Sequence, residues 1–134
     1  MDKLSRLERS ENMRRIRSKN TEPEKILKRI LKSLHLRFSL HAKTLPGRPD
    51  FVFPKKRKAL FLHGCFWHLH GRCKIAHIPK SKKSYWLPKL RGNKRRDRNN
   101  AARLRYRGWK ILTVWECQLA DTNRVKYRIS AFLR

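Results

Sequence analysis

Between positions 61 and 73 the chain reads FLHGCFWHLHGRC, which sets His63, Cys65, His68, His70 and Cys73 around the aromatic pair Phe66 and Trp67. Thiolates and imidazoles are the donors zinc takes, and a structural zinc site closes four of them into a tetrahedron. Cys65, His70 and Cys73 have the spacing C-x4-H-x2-C, and Cys117 follows a later apolar run. Together they make a Cys3His zinc site that uses all three cysteines of the chain. The plainer alternative is three small buried hydrophobes with free thiols. His68 could replace His70 as a ligand; His70 is preferred because it is closer to Cys73 and leaves His68 for other work.

Acidic residues are scarce, nine against 37 Lys and Arg, so each placement carries information. Asp50 stands in PGRPDF, where a turn becomes an apolar strand. A carboxylate there, in a cationic protein, is poised to hold Mg2+ against a phosphate. It serves equally well as a turn cap bonded to nearby backbone N–H groups. Trp86, Leu90, Asn93, Asp97, Ala101 and Leu104 fall on one helical stripe, which turns Asp97 inward and obliges it to find a hydrogen-bond partner. Strand alternation puts Phe61, His63 and Cys65 on one face. An unperturbed imidazole titrates near neutrality, so His63 or His68 could take a proton from water or neutralise a phosphate. Phe66 and Trp67 are adjacent and cannot both enter the core. With Trp86 they are candidates to stack on bases or wedge between base pairs. Trp109 and Trp115 flank the last strand and are expected in the core.

These groups need a scaffold. TEPEKILKRILKSLH predicts a helix, with Thr21 as N-cap, Pro23 in the first turn and Glu24 completing a capping box. Its Ile26, Leu27, Ile30, Leu31 and Leu34 form one apolar stripe. RFSLH reads as a short strand, TLPGRPD as a turn, and FVF and ALFLHGCF as strands joined by the basic turn PKKRK. A helix is expected from Lys82 or Ser84 to about Arg107, a strand over WKILTVWE and a last helix over 121–133. Helix, three strands, helix, strand, helix is the order of an α/β sandwich, a mixed central sheet flanked by helices. Residues 1–20, polar and basic, read as an arm or a frayed helix ordered only on a partner, and residues 21–134 as one domain.

The 134 residues carry a formal net charge of +28. So large an excess is self-repelling and calls for an anionic partner, of which nucleic acid is the best fit. No amphipathic basic helix with a broad apolar face and no lipidation signal point to a membrane, and the polar N-terminus contains no signal sequence. Three cysteines with no secretion signal argue for an intracellular protein without a disulfide framework.

LPGRPDFVF, FLHGCFWHLHGRC, SYWLPKLRGNKRRDRN, GWKILTVWECQL and SENMRRIRSKNTEPEKIL resemble the very short patch repair (Vsr) mismatch endonucleases over roughly residues 9–119. The resemblance implies a restriction-endonuclease-like fold of the PD-(D/E)XK superfamily type with a structural zinc. It implies Mg2+-dependent nicking of one strand 5′ to the mispaired T of a T:G mismatch, in repair of deaminated 5-methylcytosine. Asp50 would be the central Mg2+ ligand, joined by the backbone carbonyl of Leu62. His68 would activate the attacking water, His63 would face the phosphate or water on the metal, and Glu24 and Asp97 would orient water and histidine. Zinc would take Cys65, His70, Cys73 and Cys117. Phe66, Trp67 and Trp86 would wedge into the duplex; the arm, with Met13 and Arg14, would clamp the DNA, and Arg48 would contact it. The setting would be the cytoplasm of a prokaryote or the product of a phage, at the nucleoid, with the protein a monomer that an accessory repair protein could stimulate. Two departures stand out: HLHGRC is one residue longer than usual before the second cysteine, and the charge is unusually high. Glu24, Asp50, Leu62-His63 and Asp97 also fit the E-D-x-H-D arrangement of homing endonucleases, which need no mismatch. A third reading is a non-catalytic, zinc-containing nucleic-acid-binding protein.

Overall fold

Thr21 opens the first helix, α1 (Glu22–Ser33), with Pro23 in the first turn and Glu22 and Glu24 complementing the positive end of the helix dipole. The apolar stripe does what its spacing predicts: Leu27 and Leu31 are fully buried, and Ile26 and Leu34 pack beside them. The capping box does not form as expected, because the Thr21 side chain makes no cap hydrogen bond. Glu24 has turned inward and is only 3% exposed. This computed structural model describes residues 21–68, 70–71, 73 and 82–134. The arm over 1–20, with Met13 and Arg14, lies outside the described residues, as do Leu69, Arg72 and residues 74–81.

Four strands follow in spatial order β1 (Ser39–Leu40), β2 (Phe51–Phe53), β3 (Lys58–His63) and β4 (Lys110–Trp115). The first three form an antiparallel meander, with Leu40 opposite Phe51 and Phe51 opposite Leu60. β3 and β4 run parallel, from Lys58 opposite Lys110 to His63 opposite Trp115. A parallel pair requires a crossover, and the 24-residue helix α2 (Lys83–Tyr106) supplies it. The last helix, α3 (Thr122–Leu133), is N-capped by Asp121, whose side chain accepts a hydrogen bond from the Arg124 N–H at 3.2 Å. Its C-terminal carbonyls receive Lys56 Nζ on Leu133 O (2.7 Å) and Lys58 Nζ on Phe132 O (2.5 Å).

Alternation along the strands sorts the two faces. Phe51, Phe53, Leu60 and Val114 pack with Leu27 and Leu31 of α1 and with Val125, Ile129 and Leu133 of α3, which makes one core. Removing such a fully buried leucine costs about 2–5 kcal/mol. Phe61, His63, Ile111, Thr113 and Trp115 look the other way, toward α2, and line a cleft with it. The expected strand ALFLHGCF is too long: β3 stops at His63, and the chain coils, with His68 N–H on Gly64 O (3.1 Å) and His70 N–H on Cys65 O (3.0 Å). Cys65 therefore leaves the strand alternation expected for it. Among the described residues no helix is long and apolar enough to cross a membrane.

Candidate active site

The parallel pair ends at His63 and Trp115, and chemistry in such sheets gathers beyond the carboxyl ends of parallel strands. Asp50 arrives at the same end because β2 runs antiparallel and the residue before it starts where β3 finishes. Its Oδ2 accepts a hydrogen bond from the Leu62 N–H at 2.7 Å. Burial pushes the Asp50 carboxyl up to about 6; the Leu62 N–H and His41 hold it down, and Glu24 pushes it further up. Glu24 comes from α1, and its Oε1 lies 2.8 Å from Nε2 of His41 and 3.9 Å from Nζ of Lys28.

The coil after β3 brings His68 back over His63. The two imidazoles stack with centroids 3.9 Å apart and planes 5° from parallel. Asp97, on the inward stripe of α2, sets Oδ2 2.5 Å from Nδ1 of His68. A carboxylate on Nδ1 fixes the tautomer and leaves Nε2 as the acceptor. Burial, with the neighbouring His68, lowers His63 to about 4 against the opposing pull of Asp97, so His63 is neutral at physiological pH. Asn93, one turn before Asp97, donates from Nδ2 to Trp67 O at 3.1 Å and ties the coil to the helix.

Glu24, Asp50, His63, His68, Asn93 and Glu116 line one cleft of about 430 Å³, together with Trp67, Lys89 and Arg96. A second lobe of about 390 Å³ shares Asp50, Leu62, His63 and His68 and extends along the rest of α2. Arg48, Lys94, Arg98 and Arg105 line it. Two lining residues, Trp115 and Glu116, were not legible as site residues, nor was His41, which stands behind Glu24. Glu116 had a signal, since it follows β4 directly and β4 ends in register with His63.

The cysteines and the other histidine of the coil gather away from this cleft. Cys65, His70, Cys73 and Cys117 bring their ligand atoms within 4.8 Å of one another. His70 Nδ1 is 3.5 Å from Cys117 Sγ, and the Cys117 N–H reaches Cys65 Sγ at 3.4 Å. His70, not His68, therefore joins the cysteines. None of the three is in a disulfide, and burial pushes the Cys65 thiol up to about 12 and raises Cys117 as well. A tetrahedral zinc with bonds of about 2.3 Å to sulfur needs donors roughly 3.8 Å apart, which this cluster can meet with small movements. Trp115 separates the two clusters. It is stacked on His70 (4.1 Å, 6°) and set edge-on to His63 (5.2 Å, 78°). Trp115 and Trp109 are half-buried rather than in the core as expected, Trp115 because β4 ends at the cleft and Trp109 because it precedes the first residue of β4.

Phe66, Trp67 and Trp86 form a mutually edge-on trio with centroids 5.1–5.6 Å apart. Phe66 and Trp67 are half-buried. Trp86, expected as a third exposed wedge, is 1% exposed: it sits beneath the other two, where the first turn of α2 meets the coil. Arg48 is exposed in the turn before Pro49, with φ +47°.

A family model described as DNA mismatch endonuclease Vsr matches residues 1–74. The Type II nicking enzyme V.XorIIP of Xanthomonas oryzae pv. oryzae is 47% identical over 132 residues, 98% of this chain and 96% of that protein. The DNA mismatch endonuclease Vsr of Escherichia coli is 42% identical over 117 residues, 87% of this chain and 74% of that one. Among solved structures, the catalytic domain of the homing endonuclease I-Bth0305I superposes with a TM-score of 0.57 at 21% identity, covering 84% of this chain and 94% of that one. At that identity the likeness concerns the fold alone, a mixed α/β architecture.

Proposed function

Given that the chain belongs to the Vsr family of DNA mismatch endonucleases and is itself a DNA-nicking enzyme, we propose that it cuts one strand on the 5′ side of the mispaired T in a T:G mismatch, with Mg2+. The observation that carries this reading is the stacked His63–His68 pair, braced by Asp97 and facing the Asp50 carboxylate across one cleft.

The cleft suits a hard cation. Asp50 offers carboxylate oxygen, and burial makes its charge costly until a cation arrives. Asp50 and the Leu62 carbonyl would hold Mg2+, which supplies positive charge to polarise the phosphate when bound. His68 takes the proton of the attacking water at Nε2 while Asp97 stabilises the resulting imidazolium. His63, neutral, offers an N–H to a phosphate oxygen without adding a charge that would repel His68. Glu24 orients water beside Asp50. Arg48, Lys94, Arg98 and Arg105 carry the backbone phosphates through the second lobe, and the arm over 1–20, with Met13 and Arg14, clamps the duplex. Cys65, His70, Cys73 and Cys117 hold Zn2+ and lock the coil.

T:G is a weaker, more deformable step than a matched pair. A protein that unstacks the duplex with Phe66 and Trp67 therefore meets less resistance there. The test is nicking of one duplex made with T:G or T:A at the same position and with varied flanks. T:G should be cut at least about tenfold faster, a preference of roughly 1.4 kcal/mol. Equal rates would replace the mismatch reading with a homing-type one.

A further inference from the structure

We propose that His41 is a positioning residue of the metal cleft, fixing the Glu24 carboxylate beside Asp50. This rests on the reading that Asp50 holds the divalent cation. β1 is only two residues long, and at His41 the backbone turns left-handed, with φ +49°. Residues other than glycine adopt this conformation rarely, histidine more readily than most. The His41 N–H still donates to the Asp50 carbonyl at 3.1 Å, so the ladder gains one more rung, at the residue that carries the cleft carboxylate. The left-handed turn frees the side chain from strand alternation, and Nε2 comes to lie 2.8 Å from Glu24 Oε1.

Glu24 needs such a partner. It is 3% exposed, and a carboxylate at that depth is costly without a close cation or donor. Lys28 is farther away, at 3.9 Å. Thr21 has left the capping arrangement that would have aimed Glu24 at the helix end. His41 therefore ties the end of β1, which it follows directly, to α1 through Glu24 and to the start of β2 through Asp50, the residue before it. It acts on the reaction through Glu24 and touches no reacting atom.

Side-chain geometry supplies the test. The amide nitrogen of Gln reaches about as far as Nε2 of His, whereas that of Asn reaches only as far as Nδ1. His41→Ala and His41→Asn should raise the Mg2+ concentration for half-maximal nicking by about tenfold, the low end of what is lost when a group supporting a metal ligand is removed. KM for DNA should barely change, while the melting temperature should fall by a few degrees, since Glu24 loses its close partner. His41→Gln should restore Mg2+ response to within about threefold. Calorimetric titration of Mg2+ into DNA-free protein should rank the variants in the same order. In a Glu24→Gln background, His41→Ala should add less than about twofold, since coupled residues are not additive. An equal penalty in both backgrounds, or a Gln variant no better than Asn, overturns the proposal; the Gln–Asn pair decides even if His41→Ala does not fold. Asp50→Asn reports separately on the cleft reading. If it stays active, the metal site itself is misassigned. If it is inactive while His41→Ala responds normally to Mg2+, only the role of His41 fails.

Discussion

The coil after β3 feeds two clusters of opposite character, one on each side of Trp115. Cys65, His70, Cys73 and Cys117 turn their donors on one another within 4.8 Å, and Cys65 is fully buried. His63 and His68 face an opening of about 430 Å³ with Asp50 and Glu24. The first cluster is closed and uses soft donors; the second is open and uses oxygen and imidazole. In the open one a carboxyl has risen to about 6 and an imidazole has fallen to about 4, so the two have changed places on the pH scale. Groups held away from their ordinary titration at an accessible mouth suit the reacting role proposed for this cleft. A closed knot of donors beside it suits the fastening role proposed for that cluster. The same short segment does both because β3 ends at His63 and the coil after it turns Cys65 and His70 away from the side that His63 and His68 face.

The strongest way to break this contrast is to damage each cluster and look for crossed effects. Asp50→Asn should reduce nicking by at least about 10³-fold, as expected when charge stabilisation at the phosphate is lost, while retaining DNA in a gel shift. In metal-free buffer it should also stabilise the fold. The folded pKa of Asp50, about 6, lies above its ordinary 3.8, so stability falls as pH rises between these values and the penalty is complete above about 6. Asn removes that penalty: the melting temperature should rise by roughly 5 °C at pH 8 and by nothing near pH 3.5. Cys117→Ser should do the reverse. Zinc and roughly 10 °C of melting temperature should be lost together. A Cys117→Ser protein that melts like the parent, with no zinc in either, would show that the knot is only packing.

A smaller effect sharpens the same contrast. Mg2+ binds only ionised Asp50, so the acid limb of the nicking profile should lie near pH 6 at low Mg2+. It should move down by about one pH unit for each tenfold rise in Mg2+ beyond half-saturation. His63, near 4, does not titrate in this range. A limb that ignores Mg2+ would assign it to another group, and the ligand role of Asp50 would then rest on the Asp50→Asn variant alone.

Much of the fastening was legible from spacing, because Cys65, His70 and Cys73 are near neighbours and Cys117 was the one cysteine left. Asp97 was legible because a helix stripe either includes a carboxylate or does not. The helices and strands could be read from their periods, since α1 and β4 bury one face each. What could not be read depended on where the chain stops being regular. β3 ends at His63 because Gly64 and Cys65 begin a coil, and a run of apolar letters does not announce that. His41 lies far from Glu24 along the chain and meets it only through a left-handed turn. Trp115 looks like core in any strand pattern, and only the end of the sheet makes it a partition.

The smallest effect concerns the aromatic trio above the cleft, where the same division between fastening and working parts recurs. Trp86 is 1% exposed, and its Nε1 has no hydrogen-bond partner among the described residues. A buried N–H without a partner costs about 1–3 kcal/mol, so Trp86→Phe removes that cost while opening a small cavity of comparable cost. The melting temperature should therefore change by only a few degrees. If Trp86 only supports the trio, the T:G over T:A preference should stay within about twofold of the parent, whereas Trp67→Ala should reduce it by about fivefold, close to the lower end of what one stacked base contributes. A Trp86→Phe protein that loses discrimination as severely as Trp67→Ala would mean that the buried indole leaves its place on DNA and its stranded N–H finds a partner there. The trio would then be a working part held folded in the free enzyme, and the division between fastening and working residues would run through it rather than along Trp115.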